Sequence, residues 1–209
     1  MTSINPEIVA FAETQIIPRY VAFDAAHRTD HCRKVIENAL ALAPEFDVDT
    51  DMVYVIAAYH DLGLADGRAG HEVRSGELLQ VDLRLRRWFS EEQITVMAEA
   101  VEDHRASSGR EPRSIYGEIV AEADRDIEYL TILTRTLQYG LENFPNLDKE
   151  QHFQRTMEHV REKYGVGGYL KLRLDVGPNR ARLDELRRSI EDEASVRADF
   201  DRLYAELAE

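Results

Sequence analysis

The chain has 209 residues, 44% of them hydrophobic, which is enough for a sizeable core and too many for general disorder. Its net charge of −14 argues against sequence-independent binding to a nucleic acid polymer and against an anionic membrane surface as partner. No apolar run is long enough to cross a bilayer, no basic segment leads into an apolar one at the N-terminus, and the single cysteine excludes an intrachain disulfide, so a cytoplasmic protein is expected.

Helical periodicity dominates from the start. Residues 24–43 carry Val35, Ile36, Ala39, Leu40 and Leu42 at helical spacing, and Pro44 stops that helix. Cys32 falls inside it and reads as an ordinary helical residue. Asp49-Thr50 supplies an N-cap for a helix over residues 51–62, which Gly63 ends. Asp66-Gly67-Arg68-Ala69-Gly70 is a loop, and a helix from His71 to Val81 follows. Ser90-Glu91-Glu92-Gln93 is a capping-box pattern; it opens a helix with Ile94, Met97, Ala98 and Val101 that ends near His104. After a polar loop over residues 105–113, one long helix is predicted over residues 114–141, through Ile119, Val120, Ala123, Ile127, Leu130, Leu133 and Leu137. Residues 148–208 also read as helical, with interruptions at Gly165-Val166-Gly167-Gly168 and Gly177-Pro178. Their terminal helix sets Leu183, Leu186, Ile190, Val196, Phe200, Leu203 and Leu207 in one stripe, which either packs on the domain or forms the seam of a homodimer. His152 and His159 read as surface residues. No strand pattern or repeat is present, so the expected fold is all-α in a single domain over residues 1–209.

The pair His60-Asp61 ends the apolar run from Met52 to Tyr59. An imidazole and a carboxylate side by side at the buried end of a helix can both reach one metal ion. With His31 one helix upstream and Asp124 in a helix downstream, the set offers two nitrogens and two oxygens from three helices. Such donors suit Mn, Fe, Co, Ni or Zn, and the carboxylates also tolerate Mg. They leave coordination positions for water and substrate, as a catalytic metal requires. One cysteine is too few for a zinc finger.

The order His31, then Val55-Ile56-Ala57-Ala58-Tyr59-His60-Asp61-Leu62-Gly63, then Ile119-Val120-Ala121-Glu122-Ala123-Asp124-Arg125, resembles the HD-domain superfamily of metal-dependent phosphohydrolases. The resemblance implies an HD-type helical bundle over residues 20–140, with a C-terminal helical extension over residues 142–209 that matches no family pattern. It implies that His31, His60, Asp61 and Asp124 hold a divalent metal, as one ion or two, with Asp61 also counted among the catalytic groups. By the same alignment Glu122 and Asp126 are not ligands. His71, followed by Glu72, lines the active site, and His104 recurs there; either would protonate the leaving group, and His71 would alternatively touch a second ion or a phosphate. His27, one turn before His31, and Arg125, beside Asp124, are expected to support the ligands from outside.

Arg105, Ser107, Ser108, Arg110 and Arg113 crowd the loop after His104, a local reversal of charge in an acidic chain. Arginine forks match phosphate oxygens in pairs, so Arg105, Ser108 and Arg113 are expected to bind substrate. The resemblance thus implies a phosphohydrolase acting on a small phosphate ester or anhydride, a nucleotide in particular. The acidic pair that follows the histidine-aspartate in guanosine-tetraphosphate hydrolases is missing here, as is the glycine-tyrosine-proline signature of cyclic-di-GMP phosphodiesterases. Two alternatives stay open: a catalytically silent metal-binding domain serving as a ligand sensor, and a di-iron oxygenase drawing extra ligands from His71 and His104.

Overall fold

The computed structural model describes residues 4–22, 29–105 and 110–208. The fold is all-α, and no strand occurs among the described residues. The chain divides into two compact units, Met1–Asp124 and Arg125–Glu209.

The first unit is built around a buried helix. α1 spans Pro6–Gln15, a 3-10 segment covers Ile17–Ala22, α2 spans Thr29–Leu42 and α3 Thr50–Tyr59. Every residue of α3 from Met52 to Tyr59 is buried, as its run of apolar side chains without a polar face demands. Around it stand α1, α2, α4 (His71–Val81), α5 (Glu91–Asp103) and α6 (Ile115–Ala123). Asp49 caps α3 through the Asp51 N–H, and Ser90 and Gln93 form the expected reciprocal capping box on α5. His27 lies outside the described residues.

Gly63 acts differently from expectation. It sits inside a 3-10 turn, Leu62–Asp66, and not in the left-handed conformation of a helix cap. A Cβ at this position would lie 2.3 Å from the His71 carbonyl oxygen and 2.8 Å from the Ser75 nitrogen. The missing side chain therefore lets the first turn of α4 press against the residues that follow Asp61. The Gly63 N–H donates to Ser75 Oγ at 2.9 Å and fixes that approach.

The helix expected over residues 114–141 is two helices, α6 and α7 (Tyr129–Asn143). No glycine or proline breaks it. Asp124 closes α6, and the Glu128 carboxylate accepts from the N–H groups of Leu130 and Thr131, restarting the helix as an N-cap does.

The second unit comprises α7, α8 (Lys149–Tyr164), α9 (Asn179–Glu191) and α10 (Glu193–Leu207). Leu133 and Leu137 of α7, Phe153 and Met157 of α8, and Val196, Phe200 and Leu203 of α10 form its core, with the Phe153 and Phe200 rings edge to face at 5.2 Å. The terminal stripe is split at Asp192, which ends α9 and caps α10 through the Ser195 N–H. Leu183, Leu186, Ile190, Val196, Phe200 and Leu203 are all buried within this unit. His152 is a correction: it is 1% exposed on α8, with its ring 6.0 Å from Tyr204, and His159 is half-buried. His152 stands beside Phe153 of the core on α8, a placement that polarity alone does not reveal.

Candidate metal centre

Six side chains from the first unit converge: His31 from α2, His60 and Asp61 from the end of α3, His71 from the start of α4, His104 from the end of α5, and Asp124 from the end of α6. Most are placed at helix termini, where the chain turns and a side chain can point along the bundle axis. They form two groups able to hold a metal ion, His31 with His60 and Asp124, and Asp61 with His71 and His104.

Asp61 joins the groups through its two oxygens. Oδ2 lies 3.3 Å from His60 Nε2 and 3.6 Å from His31 Nε2. Oδ1 lies 3.2 Å from His71 Nε2 and 3.4 Å from His104 Nε2. Asp124 Oδ1 completes the first side, 3.1 Å from His31 Nε2 and 3.8 Å from His60 Nε2. Across each side the two imidazoles face one another, His31 to His60 and His71 to His104, with both Nε2 pairs at 3.3 Å.

The imidazoles are fixed from behind by one repeated device. Nδ1 of His60, His71 and His104 each meets the carbonyl oxygen three residues earlier, at Ala57 (2.8 Å), Arg68 (2.9 Å) and Val101 (2.6 Å). A carbonyl can only accept, so Nδ1 carries the proton and a neutral ring turns the lone pair of Nε2 inward. This outer support is what metal-bound histidines require. His71 and His104 thereby stand, with Asp61, where they could hold a metal ion, whereas proton donation was one expected role for them.

The electrostatics point the same way. Burial opposes a charge on His60, yet the carboxylates of Asp61 and Asp124 outweigh it and raise the imidazole to about 9. Burial likewise opposes ionisation of Asp61, but the surrounding histidines hold its carboxyl well below the usual range. Burial also works against ionised Asp124, and the His31 hydrogen bond prevails, bringing it to about 2. His71 is raised despite its burial, chiefly by its contact with Asp61. The carboxylates stay ionised and hold positive charge on the imidazoles beside them, so the cluster is built to take up cations.

The donors fit a divalent metal. Two ligands each about 2.1 Å from one ion stand about 3.0–3.4 Å apart at octahedral or tetrahedral angles. The contacts within each group fall close to this range, between 3.1 and 3.8 Å. His31, His60, Asp61 Oδ2 and Asp124 would hold one ion, and Asp61 Oδ1, His71 and His104 a second.

The other expected residues are more scattered. Arg105 donates from Nη1 to Glu72 Oε2 at 2.9 Å, and that carboxylate lies 3.4 Å from His71 Nδ1, so the arginine borders the second group. Arg113 turns the other way. Its backbone N–H and guanidinium engage Asp103 at 2.7–3.2 Å, and Nη2 also reaches Glu102 Oε2 at 2.7 Å and the Glu99 carbonyl at 2.8 Å. It braces the end of α5 below His104, where an open fork for substrate was expected. Ser108 lies outside the described residues. Arg125, expected to support the ligands from outside, donates from Nη2 to the Lys171 carbonyl at 3.0 Å.

Sequence reasoning missed two supports. Asn38 Nδ2 donates to the Ala123 carbonyl at 3.0 Å and ties α2 to the residue before Asp124. Tyr20, fully buried, places its hydroxyl between the Ala58 carbonyl and the Asp61 N–H. Neither carries a motif that marks it as a support.

Among known families, the model of the HD domain matches residues 28–127. No curated protein and no solved structure matches the chain.

Proposed function

The chain belongs to the HD-domain superfamily, and on that premise we propose that it is a metal-dependent phosphohydrolase acting on a small phosphate ester or anhydride, with a nucleotide as the favoured substrate class. One observation carries the reading: the single carboxylate of Asp61 faces a pair of inward-pointing imidazoles with each of its oxygens. That arrangement suits two ions sharing a bridge. When bound, such ions supply an activated water and neutralise charge on phosphoryl oxygens.

The chain's own groups have distinct tasks. Asp61 spans the centre and sets the spacing of its two sides. His60, His71 and His104 carry a proton on Nδ1 against backbone carbonyls, which leaves Nε2 as the atom turned toward a metal that displaces its proton. Arg105, held at the rim by Glu72, offers a guanidinium beside the second group for a phosphate oxygen. The test is phosphate or pyrophosphate release from a panel of nucleotides and sugar phosphates with Mn, Mg, Co or Ni added. Release that disappears in His60→Ala supports the reading; bound metal with no release from any substrate sinks it in favour of a silent sensor.

The ligand positions of His71 and His104 favour one second reading. Four imidazoles and two carboxylates also suit a di-iron centre that activates oxygen. Oxygen consumption by the iron-loaded protein, without phosphate release, would select it.

A further inference from the structure

Tyr20 sits in the 3-10 segment Ile17–Ala22, buried beneath the end of α3. Its hydroxyl donates to the Ala58 carbonyl at 3.0 Å and accepts from the Asp61 N–H at 3.2 Å. The two contacts straddle His60. They therefore fix the turn at which α3 ends and from which both His60 and Asp61 leave the backbone. Cys32, the neighbour of His31, packs into the same spot with Sγ 3.9 Å from the Ala58 oxygen. One phenol oxygen thus links the segment before α2 to the backbone of the residue whose carboxylate spans the two groups.

The backbone of His60 is held a second time, since its ring closes on the Ala57 carbonyl. At Asp61, by contrast, the hydroxyl sets the direction of the peptide from which the carboxylate springs. A rotation there would carry Oδ1 away from His71 and His104 while leaving His31, His60 and Asp124 together. We propose that Tyr20 is a positioning residue for Asp61, whose hydroxyl aims the carboxylate so that it bridges the two sides of the centre. The proposal rests on reading the six side chains as a metal centre.

The test uses Mn(II) alone as probe, on the full-length protein. Binding is followed by the electron paramagnetic resonance of free Mn(II), and exchange coupling between bound ions reports the bridge. The unaltered protein should bind two coupled ions. Tyr20→Phe removes one oxygen and keeps the ring, so it should retain the first ion, bind the second about tenfold or more weakly, and lose coupling. Cys32→Ala disturbs the same buried spot without touching the Asp61 N–H, and should keep the coupling. Wild-type coupling in Tyr20→Phe would overturn the proposal and leave the metal centre standing. Equal loss in Cys32→Ala would reassign the effect to packing and overturn it too. Loss of helix content in Tyr20→Phe, read by circular dichroism, would make the hydroxyl a folding requirement and equally overturn it. One uncoupled ion in the unaltered protein would overturn the bridge and the proposal with it, and no bound Mn(II) at all would bring down the metal reading itself, before any variant is compared.

Discussion

His71 Nε2 stands 3.2 Å from Asp61 Oδ1, although a loop and a left-handed glycine, Gly70, separate the two residues along the chain. Together with the contacts of Oδ2, this contact makes both sides of the centre depend on Asp61, whereas each histidine serves one side only. Asp61→Ala should cost both ions, because each side loses an oxygen. His71→Ala should cost only the ion on its own side, so metal analysis should find about one ion per chain where the unaltered protein holds two. Activity should fall by more than a hundredfold in both variants, by steady-state kinetics with the best substrate of the panel.

Gly63→Ala tests how α4 is brought to the site. The added carbon would overlap the His71 carbonyl oxygen, and backbone cannot step aside cheaply. A destabilisation of about 1–3 kcal/mol is expected from such overpacking. The displacement should also weaken the second ion more than the first, which calorimetric titration with Mn(II) would separate.

Arg113→Ala distinguishes bracing from substrate binding. The change strands the buried carboxylate of Asp103. Losing one partner of a fully buried pair costs about 3–5 kcal/mol, and with 36% of the arginine side chain in water a loss of about 2 kcal/mol is expected. Urea unfolding should show this loss while KM changes less than about threefold. A large rise in KM at unchanged stability would restore Arg113 to the substrate.

The raised pKa of His60 fixes the sign of two pH effects. In the metal-free protein the folded imidazole holds its proton up to about 9, above the unfolded value near 6.5. Its contribution is therefore complete below about 6.5 and is lost as pH rises through about 9, so metal-free stability should decline across that window, by about 3 kcal/mol from this group. Metal binding must displace the same proton. Affinity for Mn(II) should accordingly rise by up to about tenfold per pH unit in that range and level off above it. Thermal unfolding with a chelator, and titrations at several pH values, would check both slopes.

The helices were largely legible in the residues, because capping at Asp49 and Ser90 and the apolar run of α3 are local signals. So was the set His31, His60, Asp61 and Asp124, since adjacency and order carry it. The placement of His71 and His104 against Asp61 was harder to read. It depends on a backbone carbonyl three residues back and on the close approach at Gly63, neither of which residue type encodes. Arg113 misled because a basic loop looks like an anion site until the end of α5 supplies Asp103 beside it. The break after Asp124 was invisible for a similar reason, as Asp-Arg-Asp-Ile-Glu contains no helix breaker and only the cap at Glu128 reveals it.

The most direct measurement is the anomalous diffraction of a crystal of the Mn(II)-loaded protein. The account predicts two peaks about 3.5–4 Å apart, one among His31, His60 and Asp124, one beside His71 and His104, with Asp61 reaching both. Peaks remote from these side chains, or none at saturating Mn(II), would contradict it.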